Sequence, residues 1–460
     1  MKYKQTKASS LSSFIFILAM IALVVGSYFV LKSPSFETNK PNINLPLSFF
    51  WNSHHPFDVN VSDDSGIKSI IAYLSNGHER IQIADIVLKK PLKNYTLQIK
   101  YPKIGFEQNS DNLKLTVIAT DISKWNFFKG NTRIKSTLIK VDSQKPDLFS
   151  LITSYGITRG GSALAIFKAT DKNLKELYIE TNFGKKFKPS PFYKKGYYAV
   201  LVAWPVKQKR FSAKIIAIDE AGNKTKARLS FFLKARSYRT SHLQAKDRFI
   251  NGKISDLAED RPDDTKNLSP TEKLRYINET YRIENDSLIK KITNKVDSNR
   301  IDDFHIQPFY PLHNGKVVGS FGDHRYYWYG DKNNTISESY HLGVDLASIR
   351  RDNIYVSNPG VVVFADYNGI YGNNLIVYHG FGLYTVYGHT STLLKHRGDV
   401  VRAGEVAAKT GATGLALGDH LHFSIMVQGI FVRPAEWMDT KWIQTNITDV
   451  IDNAKKMIDK

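Results

Sequence analysis

The chain has 460 residues, 42% hydrophobic and 23% charged, a balance that excludes wholesale disorder in a chain too long for one ordinary domain. It contains no Cys, which excludes a disulfide framework, a thiol nucleophile and any cysteine-ligated metal, so a metal must sit on His, Asp or Glu. The net charge of +21 is uneven: residues 1–300 carry +23, residues 301–460 carry −2, and residues 131–240 alone carry +16. A basic region of that size suits an anionic neighbour, whether lipid head groups, a wall polymer or nucleic acid; otherwise it is a solvated lysine-rich surface.

Residues 11–31, LSSFIFILAMIALVVGSYFVL, are uncharged and follow Lys2, Lys4 and Lys7. The run is long enough to cross a bilayer as a helix, and the positive-inside rule leaves the rest of the chain outside. A cleaved signal peptide begins in the same way, but this run is long for one and no small-x-small site follows it. Residues 1–31 are therefore read as a cytoplasmic tip and transmembrane helix. Export then removes nucleic acid as a partner. Residues 32–50, rich in Pro, Asn and Ser, read as a linker.

Residues 51–140 and 141–235 read as two β-sandwich-like domains in tandem. Each has alternating apolar strands and a strand that ends at an aspartate, Asp121 or Asp219, before a polar turn. Their offset suits one immunoglobulin-like sandwich apiece, with spacing and positioning as the expected role. Residues 236–304 turn charged and helix-forming. Ser269-Pro270-Thr271-Glu272 supplies an N-cap, a first-turn proline and the glutamate of a capping box. Behind it Leu274, Ile277, Tyr281, Leu288, Ile292 and Val296 recur at helical spacing.

Residues 305–440 are dense in short β-runs separated by Gly-bearing turns. Two segments stand out, His341-Leu342-Gly343-Val344-Asp345 and His420-Leu421-His422. On extended backbone, His341 and Asp345 share one face, as do His420 and His422, and Gly343 keeps the first face clear. Three N/O ligands with an open fourth position are what a catalytic zinc needs. Each segment alone is a weak signal. Their order, with Tyr387-Gly388-His389-Thr390 between them, is a stronger one.

The region resembles the lysostaphin/LytM-type zinc metallopeptidases. The match runs through Phe321–Arg325, His341–Ala347, Gly360-Val361-Val362, Tyr371-Gly372-Asn373, Tyr387–Thr390, Gly398, Gly404, Thr410–Gly414 and His420–Phe423 to Gly429 and Pro434. The departures are Gly418-Asp419, where Gly-Pro is common, and Ser348–Asp352 in place of a Pro-x-Gly turn. The resemblance implies an antiparallel β peptidase domain over 305–440 with zinc held by His341, Asp345 and His422. It implies that His389 and His420 do the acid–base and oxyanion work, and it makes Tyr387 or Tyr340 a candidate substrate contact. The looser likeness of the upstream chain is to membrane-tethered Gram-negative members, which implies the inner membrane with the bulk of the chain in the periplasm.

The expected activity is hydrolysis of peptide cross-links in peptidoglycan, at D-Ala–meso-diaminopimelate, or at glycine-rich bridges in a Gram-positive host. The basic β region is expected to meet an anionic wall or lipid surface. A rival reading is a non-hydrolytic scaffold that recruits another wall hydrolase, and residues 236–310 are candidates to lie across the groove. Residues 441–460 form a last amphipathic helix, with Ile443, Ile447, Val450, Ile451, Ala454, Met457 and Ile458 expected to pack back on the protein.

Overall fold

The computed structural model describes residues 8–102 and 112–460 and is mainly β. Lys2, Lys4 and Lys7 lie outside the described residues. A 25-residue helix, Ala8–Lys32, covers the apolar run, and its Ser13–Lys32 part is long and apolar enough to cross a membrane, with none of it buried. Beyond it the chain divides into two compact units.

The first unit takes residues up to Lys145 with Asp219–Asn223. Its six-stranded sheet is built on the long strand Phe57–Ser75, which pairs with Arg80–Ile99 and with Asn112–Asp121. Val59, Val61, Ile67, Ile70, Ala72 and Leu74 are buried along that strand against Leu113, Leu115, Val117 and Ala119. This is the period-two pattern of one solvated and one core face. Two aspartates noted at strand ends use the same turn chemistry. Asp121 accepts from Asn131 N (2.7 Å) and Asn131 Nδ2 (2.9 Å), and Asp219 accepts from Asn223 N (2.8 Å) and Asn223 Nδ2 (2.7 Å).

The second unit holds residues 146–218 and 224–460. Its first part is a pair of four-stranded sheets, one containing Leu174–Thr181 and Ala213–Asp219, the other Ser162–Thr170 and Tyr197–Ala203. The C-terminal helix Asp449–Asp459 joins the same core: Ile447, Val450, Ile451, Ala454 and Ile458 are buried there, while Met457 stays exposed. An eight-stranded sheet follows, in the order Lys316–Gly319, Val344–Ala347, Leu421–Val427, Leu383–Thr390, Asn373–Tyr378, Gly360–Tyr367 and Val400–Val401, with Ile430–Val432 beside Leu421–Val427.

One face of this sheet, with Leu346, Leu421, Phe423, Leu383 and Tyr387, belongs to the larger core. Helices between Asp247 and Ile292 cover part of the other face, where Ile254, Leu274, Ile277 and Ile289 pack with Tyr384, Val386 and Met426. The capping box forms: Glu272 N donates to Ser269 Oγ and Ser269 N to Glu272 Oε2. The apolar stripe departs from simple helical spacing. A π-helical turn at Tyr276–Tyr281 inserts a residue into the helical count, so Ile289 is buried and Leu288 faces water.

Glu436 is buried where the eight-stranded sheet meets the preceding pair of sheets, and its Oε2 accepts from Ser162 N at 3.1 Å. Burial pushes its carboxyl up to about 7, against the pull of Ser162 N and Arg433. A carboxyl raised in the folded state is neutral there over a range where the unfolded chain ionises it. The stability tied to it is therefore complete below pH 4.5 and lost as pH rises through 7. Glu436→Gln cannot ionise and should leave stability unchanged at pH 4.5 while raising it at pH 8 by up to about 3 kcal/mol. Urea unfolding of the detergent-solubilised chain, followed by tryptophan fluorescence, checks both ends of that window.

Candidate metal centre

Two adjacent antiparallel strands place the centre. In Val344–Ala347 and Leu421–Val427, Asp345 lies directly opposite His422, Val344 opposite Phe423 and Leu346 opposite Leu421. Alternation sends the four apolar side chains into the core and leaves the carboxylate and imidazole together on the other face. His341 is not on the strand but in the turn before it. Gly343 lets that turn close: a Cβ there would sit 2.5 Å from His422 Nε2 and 2.6 Å from Ser424 Oγ.

His341 Nε2 lies 2.9 Å from Asp345 Oδ1 and 3.1 Å from His422 Nδ1, and Asp345 Oδ1 is 3.0 Å from His422 Nδ1. The tautomers follow from the outer partners. Carbonyls only accept, so His341 Nδ1–H donates to Ser320 O at 2.9 Å. Ser424 Oγ donates to Leu342 O, which leaves it to accept from His422 Nε2–H, both at 3.0 Å. His341 Nε2 and His422 Nδ1 therefore meet lone pair to lone pair beside a carboxylate oxygen. A bound metal ion reconciles three such atoms, as does a proton shared with the carboxylate. Their spacing is close to the edge of about 3.3 Å expected for a tetrahedron with metal–ligand bonds near 2.0–2.1 Å.

Burial pushes the Asp345 carboxyl up, but His341 and the neighbouring imidazoles of His420 and His422 outweigh it and hold the group below the usual carboxylate range. Burial drives His422 down to about 4, so its ring is neutral near pH 7. Arg325 completes the surroundings, its guanidinium 3.8 Å from Asp345 Oδ2 while its Nε donates to Asp323 Oδ2 at 3.2 Å.

Two more histidines face this cluster. His420 Nδ1–H donates to Gly418 O at 2.8 Å, and its Nε2 lies 3.6 Å from Asp345 Oδ1. His389 Nδ1–H donates to Thr413 O at 2.8 Å, and its ring centre is 4.8 Å from that of His420 and 5.7 Å from that of His422. Both rings thus keep Nε2 free of the backbone. His389 reaches this face through a bulge. Tyr387 pairs with Leu375 but Thr390 with Asn373, so the strand carries one extra residue, and His389 takes φ +62°. Strict alternation would have sent His389 into the core beside Tyr387; the bulge turns it over. Burial and the neighbouring rings of His420 and His422 push His389 well below its ordinary value.

All five sequence-derived residues are therefore gathered in one place. Of the two tyrosine candidates, Tyr387 is closed off from the centre. Tyr387 is fully buried in the core, accepts from Thr385 Oγ1 and packs on Phe423, because it lies on the core side of its strand. Tyr340 stacks on His324 at 4.1 Å. The aromatic neighbour of the centre is Tyr371, edge-on to His422 at 5.4 Å, with its hydroxyl donating to the buried Asp286 at 2.7 Å. Ser424 is a further residue of the centre, and the H-x-H-x-S spacing places it on the face of His422.

Residues 339–434 match the model of Peptidase family M23. The C-terminal domain is an M23 domain of the LytM type. Over 94 residues the chain is 36% identical to the DD-carboxypeptidase/endopeptidase Mpg of Neisseria meningitidis serogroup B, covering 20% of this chain and 22% of that protein. It is 35% identical over 98 residues to the peptidoglycan DD-endopeptidase ShyA of Vibrio cholerae, covering 21% and 22%. The murein hydrolase activator NlpD of Escherichia coli is 31% identical over 126 residues, covering 27% and 29%. The chain thus spans less than a third of the length of each relative, and the likeness is one of M23 domains.

Ser424→Ala should leave His422 Nε2–H without its partner and the ring free to turn. Zinc affinity of the M23 domain, measured by competition with a chromophoric chelator, should fall roughly 10–100-fold while the folded chain persists.

Proposed function

We propose that the protein is a zinc-dependent endopeptidase, anchored in the inner membrane by Ala8–Lys32, that hydrolyses peptide cross-links of peptidoglycan from the periplasmic side. The observation that carries this reading is the convergence of His341 Nε2, Asp345 Oδ1 and His422 Nδ1, lone pairs inward, beside two further imidazoles. His341, Asp345 and His422 hold the metal. Zinc, when bound, supplies Lewis acidity toward the scissile carbonyl and the attacking water. His389 and His420 present Nε2 to the same space, and between them they take the proton of the water and donate a hydrogen bond to the developing oxyanion. Thr413 O and Gly418 O fix both rings for that work by holding their Nδ1–H groups.

The D-Ala–meso-diaminopimelate bond is the preferred substrate, in keeping with the names of the Mpg and ShyA relatives. The +16 of residues 131–240 serves to hold the β region near anionic wall or lipid. Likeness to NlpD favours a second reading, a scaffold that activates another hydrolase. The five side chains speak for chemistry, since a scaffold needs none of them.

Zinc content and muropeptide release from purified sacculi separate the roles. His341→Ala, Asp345→Ala and His422→Ala should each lose both metal and activity. His389→Ala and His420→Ala should keep about one zinc per chain while hydrolysis falls roughly 10²–10⁴-fold. Metal lost from either of the latter variants refutes the division of roles. A zinc-loaded wild-type chain that never cuts sacculi favours the scaffold.

A further inference from the structure

The turn between the strands Asn112–Asp121 and Thr132–Val141 presents Trp125-Asn126-Phe127-Phe128 to solvent. Phe127 is 90% exposed, Phe128 70% and Trp125 40%, and the exposed Lys124 and Lys129 bracket them. This is not slack chain. Asn126, Phe127 and Phe128 take φ of 53°, 54° and 64°, the left-handed region that bulky residues rarely adopt. Asp121 clamps both ends by accepting from Ser123 N at 2.9 Å and Asn131 N at 2.7 Å. The backbone is thus held in an unfavourable conformation that keeps large rings in water, which an aqueous surface has no use for.

The occupant follows from where the turn is tied. Lys124 N donates to Ser35 O at 2.7 Å, Ser123 Oγ to Glu37 O at 2.7 Å and Asn131 Nδ2 to Glu37 O at 2.9 Å; the Phe128 ring meets that of Phe36 at 6.3 Å. Ser35 is three residues beyond Lys32, the last residue of the apolar helix. Three residues span at most about 11 Å, so the turn is held beside the end of the helix, at the depth of the lipid head groups. Aromatic rings flanked by lysines suit that layer: the rings prefer the interface, and the ammonium groups reach lipid phosphates.

We propose that Trp125–Phe128 is a second membrane contact, its rings inserted into the interfacial layer of the same bilayer that holds Ala8–Lys32, with Lys124 and Lys129 on the phosphates. This rests on reading that helix as the anchor. One helix leaves the first unit free to swivel about its own axis; a second contact fixes its attitude to the membrane.

The absence of cysteine makes site-specific labelling direct. Phe127→Cys, Phe128→Cys, Phe29→Cys within the helix and His78→Cys are each spin-labelled on the full chain in phosphatidylethanolamine–phosphatidylglycerol vesicles. His78 lies in the turn beyond Ser75, eight residues and about 26 Å along the strand from Ile67, the partner of Asp121. Labels at 127 and 128 should collide with oxygen in preference to a water-soluble nickel chelate, as the label at 29 does, while the label at 78 shows the reverse. If 127 and 128 behave like 78 while 29 is lipid-embedded, the proposal is wrong and the anchor stands. Shielding of 127 and 128 from both reagents indicates a protein partner and equally overturns it. A label at 29 that reports water refutes the anchor itself, and the proposal with it.

Discussion

Everything at the centre depends on one strand register, Asp345 opposite His422. Because side chains alternate, a slip of one residue would bury a carboxylate and an imidazole among Leu346, Leu421 and Phe423 and expose apolar side chains in their place. The core therefore enforces the register, and the register brings Asp345 and His422 together. Assembling three ligand atoms about 3 Å apart leaves two lone pairs facing each other beside a carboxylate, an arrangement whose cost a bound cation removes. The hydrogen bonds from His341 to Ser320 O and from His422 to Ser424 Oγ then decide which nitrogen of each ring faces inward.

The same sheet face that carries His422 also carries Tyr384, Val386 and Met426, and helices between Asp247 and Ile292 cover that part of it. The centre and the helical layer touch through the edge of Tyr371, whose hydroxyl bonds Asp286, and Lys253 Nζ donates to Ala412 O at 2.7 Å. The stretch Thr410–Gly414, part of the family resemblance, is thus contacted from the upstream chain while its Thr413 O orients His389. A fragment beginning at residue 305 would strip Leu274, Ile277 and Ile289 from this face and leave it open to water, so the complete chain is the proper object for biochemical work.

Much of this was legible in the sequence because it is written in local pattern. The capping box at Ser269 and Glu272 is a four-residue signal, and the five chemical residues stand in short segments whose order carried the resemblance. What was not legible depended on pairing. Only the bulge between Tyr387 and Thr390 explains how His389 lies on the face opposite Tyr387 despite even spacing from it. The π-helical turn at Tyr276–Tyr281 moved burial from Leu288 to Ile289, a shift of one residue that simple periodicity does not contain. The Tyr371–Asp286 bond joins positions 85 apart in the chain and has no local signature.

In the proposed function, two imidazoles and one carboxylate hold the metal while two further imidazoles stay off it. X-ray absorption at the zinc K edge of the zinc-loaded full chain tests this most directly. The account predicts four nitrogen or oxygen neighbours at about 2.0–2.1 Å, with outer-shell scattering from two imidazole rings. Scattering from three or four rings, which would bring His389 or His420 onto the metal, would contradict it.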